Sequence, residues 1–378
     1  MQILQIHNRY LEPGGEDGVA RRERRLLEQR GHSVDVVEFE NRSNAKEQAR
    51  DLALANWNPV SARVVRSQLE QVPPDVVHVH NTWYQASPSA VAEARRVAPV
   101  VATLHNYRRS CLNAQHYRNG EPCLDCVGSV PWKGVLRRCY RDSLPGTVAI
   151  GAVNTTNRFA RTLDRSVDRF LVLSDFAADL TRQSGVEESR IVRHDNFVPD
   201  PGERLNAAGE SDVVLAIGRL SPEKGFAELV QAWSAAPPDD LRLVIVGDGA
   251  ERDKIKAMSV PSVDLVGRKS GDEVAKLMRS SRALVFPSRW FEGQPLVLLE
   301  ALAAGLPIVV SDQPPLREIV DDADQMVVDS GQWGQALARL NDGGWISQAS
   351  VGARRRYEER FTPAIAGQRL EEIYQDLV

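Results

Sequence analysis

ALVFPSRWFEGQPLVLLEALAAGLPIVV, residues 283–310, is the stretch whose reading decides the fold. It opens on a short apolar run, Ala283–Phe286, and closes on another, Ile308–Val310. Neither run alternates apolar with polar residues, so each reads as a strand covered on both faces. Between them Pro295 suits the first turn of a helix, where its missing N–H would be unpaired anyway. Gly305 and Pro307 stop that helix. The spacing predicts a helix over Pro295–Ala304 and a strand–helix–strand unit, which winds a parallel sheet through a right-handed crossover.

The same grammar runs outward in both directions. Further strands are predicted at Gln2–Ile6, Val34–Phe39, Asp75–Val79, Val100–Leu104 and Phe170–Leu173, then at Val213–Ile217, Arg242–Val246 and Val263–Val266. Helix-period segments include Val19–Arg30, Ser89–Val97, Ala227–Ser234, Asp272–Arg279, Gly352–Arg360 and Pro363–Leu377. The alternation pauses over the Pro-, Gly- and polar-rich Val198–Asp212, which reads as a linker. The fold class is therefore α/β, with two Rossmann-like doubly wound parallel sheets facing across a cleft. The expected division is an N-terminal domain over 1–199, carrying an insertion at 107–140, and a C-terminal domain over 200–360. A last helix within 361–378 is expected to pack back on the N-terminal domain.

Bulk properties narrow the function. A length of 378 residues exceeds one ordinary core. The formal charge of −4 argues against a nucleic-acid partner, which would favour a basic surplus. No run is long enough to cross a bilayer. MQILQIH enters a strand directly, without a cleavable leader, so the expected location is cytoplasmic. Oligomeric state is not encoded in any visible pattern.

In open α/β sheets, ligands bind beyond the carboxyl ends of the strands. There this chain collects glycines, cations and histidines. After the first strand comes HNRYLEPGGED with Gly14 and Gly15, after the third HNTWY, and after the fourth HNYRRSC. In the second half come GRLSPEKG, GDG, GRKSG and PSRWFEGQP. Arg219 and Lys224 sit either side of a turn before a helix, an anion site if the helix N–H groups add to their charge and otherwise a solvated turn. Gly267 and Arg268 would flank a base or ribose. Glu292 precedes the apolar helix and Glu300 lies within it. A carboxylate there is expensive to bury without donors, so either both acids accept hydrogen bonds from the hydroxyls of one ligand or Glu300 pairs with an arginine. His80, with Asn81 and Trp83, reads equally as a ligand-pocket residue or as a strand-end histidine bonded to backbone. GDG at 247–249 reads as a common turn, Arg21, Arg22, Arg24 and Arg25 as a solvated helix face, and the acidic run around Asp322 and Asp324 as a solvated loop.

PSRWFEGQPLVLLEALAAGLPIVVSD resembles the E-x7-E signature of the retaining glycosyltransferases of family 4, which have the GT-B fold. GRLSPEKGF resembles that family's phosphate-binding segment, PGGE with LLEQRGHSVDVV its opening, and TLHNY its histidine-bearing loop. The resemblance implies a metal-independent enzyme that moves a hexosyl group from a UDP- or GDP-linked sugar to an acceptor hydroxyl, with retention. The acceptor class would be a glycan, a lipid-linked molecule or a small natural product. Glu300 would hold the ribose and Glu292 would sit by the donor sugar, with Gly293, Gln294 and Leu296 completing the donor site. Arg219 and Lys224 would neutralise the diphosphate with help from Gly15 amides, and His105 would lie near the transferred sugar. His80, Trp83 and Asn106 would face the acceptor. Many members have Phe-Gly after the Glu-Gly pair; here Gln294 and Pro295 stand there, and Pro295 cannot donate an N–H. A nucleotide-sugar epimerase and a non-catalytic, zinc-stabilised binding protein are the competing classes.

All four cysteines, Cys111, Cys123, Cys126 and Cys139, fall within one loop-rich segment. A C-x2-C knuckle flanked by two thiols suits a tetrahedral thiolate site, with structural zinc the first expectation and an iron–sulfur cluster the second. A similar insertion after TLHNYR occurs in some members of the family it resembles. PWKGVLRRCYR, with Trp132, reads as a surface helix or as a peripheral contact with the inner face of a membrane.

Overall fold

The computed structural model describes the chain except residues 12, 13, 321–323 and 330 and the side chains of residues 45 and 49. Pro13 of the PGG turn and Asp322 of the acidic run lie outside the described residues. The chain forms two compact units: Met1–His116, Leu124–Asp195 and Ala364–Val378 make the first, and Asn196–Pro363 with Tyr117–Cys123 the second.

In the first unit β1 (Gln2–Arg9), β2 (Ser33–Glu40), β3 (Val76–Val79) and β4 (Val100–Leu104) precede a small hairpin, β5 (Tyr117–Arg118) with β6 (Glu121–Pro122), which groups with the second unit. The chain then returns to the first sheet as β7 (Arg169–Val172) and β8 (Ile191–Arg193). The sheet is parallel throughout, in the order β2-β1-β3-β4-β7-β8. Successive strand residues point to opposite faces. Leu4, Ile6, Val77 and Phe170 join one apolar core, while Ile3, Val76, Val101 and Leu171 join the other. Covering both faces is why these strands read as unbroken Val/Ile/Leu runs. The helix Pro363–Gln375 covers the second face: Leu370, Ile373 and Tyr374 pack there, and Glu371 takes Arg30 at 2.5 Å and His32 at 2.8 Å.

The second unit holds β9 (Val213–Ile217), β10 (Arg242–Val246), β11 (Val263–Gly267), β12 (Ala283–Phe286), β13 (Ile308–Ser311) and β14 (Met326–Val328). They form a second parallel sheet in the order β11-β10-β9-β12-β13-β14. The helix between β12 and β13 spans Leu296–Ala303. Pro295 is its N-cap, with extended backbone at ψ 120°, rather than a residue of its first turn. Gly305 takes φ +59° just past its end. Among the described residues no helix is long and apolar enough to cross a membrane.

Each sheet reverses its winding once, between β1 and β3 in the first unit and between β9 and β12 in the second. Crevices form at the carboxyl ends of strands flanking such a reversal. The loops after β1, β3, β9 and β12 are the ones that carry Gly14, His80, Arg219 with Lys224, and Glu292.

Candidate active site

In the second unit the loops after β9 and β12 meet side chain to side chain. Lys224 Nζ lies 2.6 Å from Glu292 Oε1, and Ser288 Oγ donates to the same oxygen at 2.6 Å. Both charged side chains are largely out of water, 15% and 7% exposed, so their attraction is little screened. The ammonium also lies 5.2 Å from the Trp290 ring centroid and 5.6 Å from that of Phe286. Gly225 must be glycine for this approach: its φ is +70°, and an added Cβ would lie 2.2 Å from Pro287 O. Lys224 ends the short turn Pro222–Lys224, and Arg219 is exposed with its guanidinium 3.0 Å from Glu223. Thus the two cations expected on one phosphate site share a turn, each facing a different carboxylate.

Gln294 is buried; its side chain accepts from Asn196 N at 2.5 Å, and its carbonyl accepts from Asn196 Nδ2 at 3.3 Å. Gly293, Leu296 and Glu300 are half-buried. Gly267 ends β11 with φ +72°, and Arg268 beside it is exposed. The GDG turn is more than a common turn. Gly247 has φ +146°, and an added Cβ would stand 1.8 Å from Gly218 O; at Gly249 the corresponding distance to Leu220 O is 2.3 Å. These glycines let the loops after β9 and β10 pass backbone against backbone. Asp324 pairs with Arg355, so it is not a solvated loop residue.

In the first unit a cavity of about 140 Å³ opens beside the carboxyl ends of β3 and β4. His80, Trp83, His105, Asn106 and Arg108 line it above an apolar floor that includes Val91, Leu163 and Phe170. The structure thus brings the expected acceptor residues together with His105. Gly14 caps the helix Gly15–Gln29, and its N–H is already taken by Asp17 at 2.7 Å. Trp83 Nε1 and two guanidinium nitrogens of Arg108 are buried without a partner among the described residues. Arg108 stacks 4.6 Å over the Trp83 ring.

Two features escaped the sequence reading. Glu16, just after PGG, accepts from Asn81 at 3.0 Å and Asn106 at 3.4 Å, and burial pushes its carboxyl up to about 7 against the pull of Arg108. Glu23 lies buried among histidines. His80 is not bonded through its ring to backbone: its partners are Glu23 at 3.1 Å, Gln5 at 2.8 Å and His105 at 3.1 Å. The detectable signal was spacing, since Val19, Glu23, Leu26 and Leu27 share the helix face that is buried.

Cys111, Cys126 and Cys139 belong to the first unit and Cys123 to the second; none forms a disulfide. Cys139 N donates to Gly134 O at 3.1 Å. A Cβ at Gly134 would crowd Leu112 at 2.9 Å and Cys126 Sγ at 3.3 Å.

Comparison with known proteins supplies the name of this architecture. Residues 13–200 match the family described as Glycosyltransferase Family 4, and residues 202–343 match Glycosyl transferases group 1. The chain belongs to the family 4 glycosyltransferases. Family relatives include the amylovoran biosynthesis glycosyltransferase AmsD of Erwinia amylovora, 35% identical over 140 residues, covering 35% of this chain and 39% of the relative. Another is the GDP-mannose-dependent alpha-mannosyltransferase of Mycobacterium tuberculosis, 30% identical over 193 residues, covering 48% and 50%. The chain spans half or less of the length of these relatives. Among solved structures, Anabaena HepE in complex with UDP and glucose superposes with TM-score 0.67 at 18% identity, with both chains fully covered. Sucrose-phosphate synthase from Thermosynechococcus elongatus gives 0.70 at 16%, covering 100% of this chain and 99% of that one. At such identities these two establish the GT-B fold and no more.

Proposed function

We propose that the protein is a retaining hexosyltransferase that takes its sugar from a UDP- or GDP-linked donor and passes it to an acceptor hydroxyl. The observation that carries this reading is the Lys224–Glu292 contact of 2.6 Å at the winding reversal of the second sheet. A diphosphate and the sugar attached to it need a cation and a hydrogen-bond acceptor side by side, and this pair presents both. Lys224 and Arg219 carry the leaving-group charge, with a fixed ammonium acting where negative charge grows. Glu292 accepts from a sugar hydroxyl, Glu300 from the ribose, and Gly267 with Arg268 flanks the nucleoside. Gly293, Gln294 and Leu296 shape the sugar pocket. His105 contacts the transferred sugar, while His80, Trp83 and Asn106 serve the acceptor.

The bond from the anomeric carbon to the phosphate oxygen breaks as the acceptor oxygen bonds to that carbon on the same face. The acceptor's proton passes to the departing phosphate. Relatives named for GDP-mannose and structures holding UDP support the choice of donor classes. Placing the leaving-group charge on Lys224 and Arg219 predicts chemistry that survives EDTA.

A thermal-shift screen against UDP- and GDP-hexoses, followed by product analysis with a simple glycoside, tests the reading. Stabilisation by at least one of them and a new glycoside of unchanged anomeric configuration are expected. An isomerised sugar formed without acceptor would make it an epimerase. Loss of activity in EDTA with recovery in manganese would overturn the metal-independent step.

The four cysteines are read as ligands of a structural zinc. Thiols alone make up the donor set, which suits zinc or, second, an iron–sulfur cluster. The ion would secure an insertion with little core of its own.

A further inference from the structure

Glu23 is 2% exposed, in the middle of a helix that covers the first sheet. A carboxylate there persists only with strong partners. It has two, both on Oε1: His78 Nδ1 at 2.7 Å and His80 Nε2 at 3.1 Å. The two histidines are two residues apart at the end of β3 and so share a face. Each spends its other nitrogen on β4 or the loop that follows it. His78 Nε2 lies 2.7 Å from Thr103 Oγ1, and His80 Nδ1 lies 3.1 Å from His105 Nε2. His78 Nδ1 is also 2.7 Å from the Tyr374 hydroxyl. The ligand-type atoms of Glu23, His78 and His80 lie within 4.8 Å of one another, but hydrogen bonds between them account for that closeness. A single line of hydrogen bonds therefore runs from a buried carboxylate through His80 to His105 at the cavity wall.

Counting protons along this line gives it a direction. Burial works against a charge on Glu23, but the hydrogen-bonded His78 and His80 outweigh it and hold the carboxyl well below its usual range, so it only accepts. Burial lowers both His80 and His105, so each imidazole is neutral and has one proton to place. His80 Nε2 gives its proton to Glu23, which leaves His80 Nδ1 as a lone pair. His105 Nε2 must then supply the proton between the two rings, and His105 Nδ1 is left bare. One group opposes this order. Gln5 Nε2 donates to Ala20 O at 3.1 Å and lies 2.8 Å from His80 Nε2. An amide donating into His80 Nε2 would reverse every proton in the line. The ionised partner prevails because a charge-assisted hydrogen bond is about twice as strong as a neutral one.

We propose that Glu23 and His80 are positioning residues that lock His105 as the Nε2–H tautomer, so that it offers Nδ1 to a ligand hydroxyl as a hydrogen-bond acceptor. The ligand part of this inference rests on the glycosyltransferase reading; the tautomer does not. A neutral acceptor nitrogen selects a hydroxyl and leaves a ligand carboxylate or phosphate unpaired, so the position favours an uncharged sugar.

Long-range proton–nitrogen correlation spectra of the imidazoles in the full-length protein test the lock, with the His105 signals assigned by their loss in His105→Asn. The expected result is Nε2–H for His105 in the unaltered protein. In Glu23→Gln the lock should weaken to a tautomer mixture or reverse. With a working donor, the same substitution should lower kcat ~10–100-fold, by analogy with loss of the carboxylate that orients a metal-bound imidazole, with donor KM little changed. Nδ1–H on His105 in the unaltered protein overturns the proposal without any variant. So does an unchanged tautomer in a folded Glu23→Gln protein. If the tautomer is as expected but no nucleotide sugar binds or reacts, the glycosyltransferase reading fails and the lock stands.

Discussion

Replacing Lys224 by methionine separates what the ammonium does for stability from what it does for chemistry. In the native protein its Nζ sits 2.6 Å from a carboxylate whose side chain is 7% exposed. Removing one partner of a buried ion pair costs ~3–5 kcal/mol, mostly because a charge stays behind without its counter-ion. Here Ser288 Oγ still donates to the same oxygen at 2.6 Å, and the lysine is itself 15% exposed. Both facts reduce the loss, to about 2–3 kcal/mol. At ~2–4 °C per kcal/mol for a unit of this size, the melting transition of the second unit should fall by about 4–12 °C. Adding Glu292→Gln removes the stranded charge, so the double variant should melt above Lys224→Met, with a coupling of ~1–2 kcal/mol. Catalysis should behave differently. Both variants lack the cation that meets the leaving diphosphate, and both should lose ~10²–10³ in kcat. Differential scanning calorimetry and release of nucleoside diphosphate provide the two readings. A double variant that melts no higher than Lys224→Met would refute the ion-pair energetics. Turnover within about threefold of the parent in Lys224→Met would refute the phosphate role.

Three further outcomes follow from particular residues. Gly247→Ala should fail to give a stably folded second unit, because its Cβ would meet Gly218 O at 1.8 Å at φ +146°; a soluble variant with the parent's melting temperature would show that this backbone crossing is absent. Glu16 has its carboxyl pushed up to about 7 from 4.5, so the folded state holds a proton that the unfolded chain releases, and stability contributed by this group falls as pH rises from about 4.5 to about 7. Glu16→Gln should therefore stabilise the protein by ~1–3 kcal/mol at pH near 8 and by nothing near 4, and equal urea midpoints for variant and parent at the higher pH would contradict that assignment. Elemental analysis of the protein purified without added metal should find about one zinc per chain, and stripping it should lower the melting temperature; metal-free protein that melts normally would remove the thiolate site.

How much of this was legible depended on how far physical constraint reached into local sequence. Strands such as Val213–Ile217 and Arg242–Val246 were readable to the residue because both faces are covered, so that past the exposed Arg242 every residue is apolar and most are β-branched. The edge strands Ile191–Arg193 and Met326–Val328 were missed: with three residues each and largely half-buried, they carry no period to detect. Lys224 and Glu292 each stood out in their own loops, but their 2.6 Å contact did not, because the sequence sets Lys224 beside Arg219 and Glu292 beside Glu300 and gives no sign of which loops meet. The importance of Gly247 was not legible either, because what it meets is the backbone of Gly218, twenty-nine residues earlier, and a two-glycine turn looks alike whether or not another chain crosses it.

The histidine line shows the same limit more sharply. Glu23 sits in the run RRERR, which reads as a solvated charged face, and most of its arginines are indeed exposed. Yet position 23 falls on the buried face with Val19, Leu26 and Leu27, where an apolar residue belongs. A carboxylate at a core position is a local contradiction, and its resolution lies over fifty residues away in H-x-H, where two imidazoles emerge on one side of a strand. Separately, each element has a bland reading. Together they specify a proton arrangement, since an ionised core carboxylate fixes the proton of every ring linked to it. If His105 is the group that touches sugar, a helix residue remote from the ligand sets what that contact accepts, and Glu23→Gln should alter the tautomer before it alters the fold.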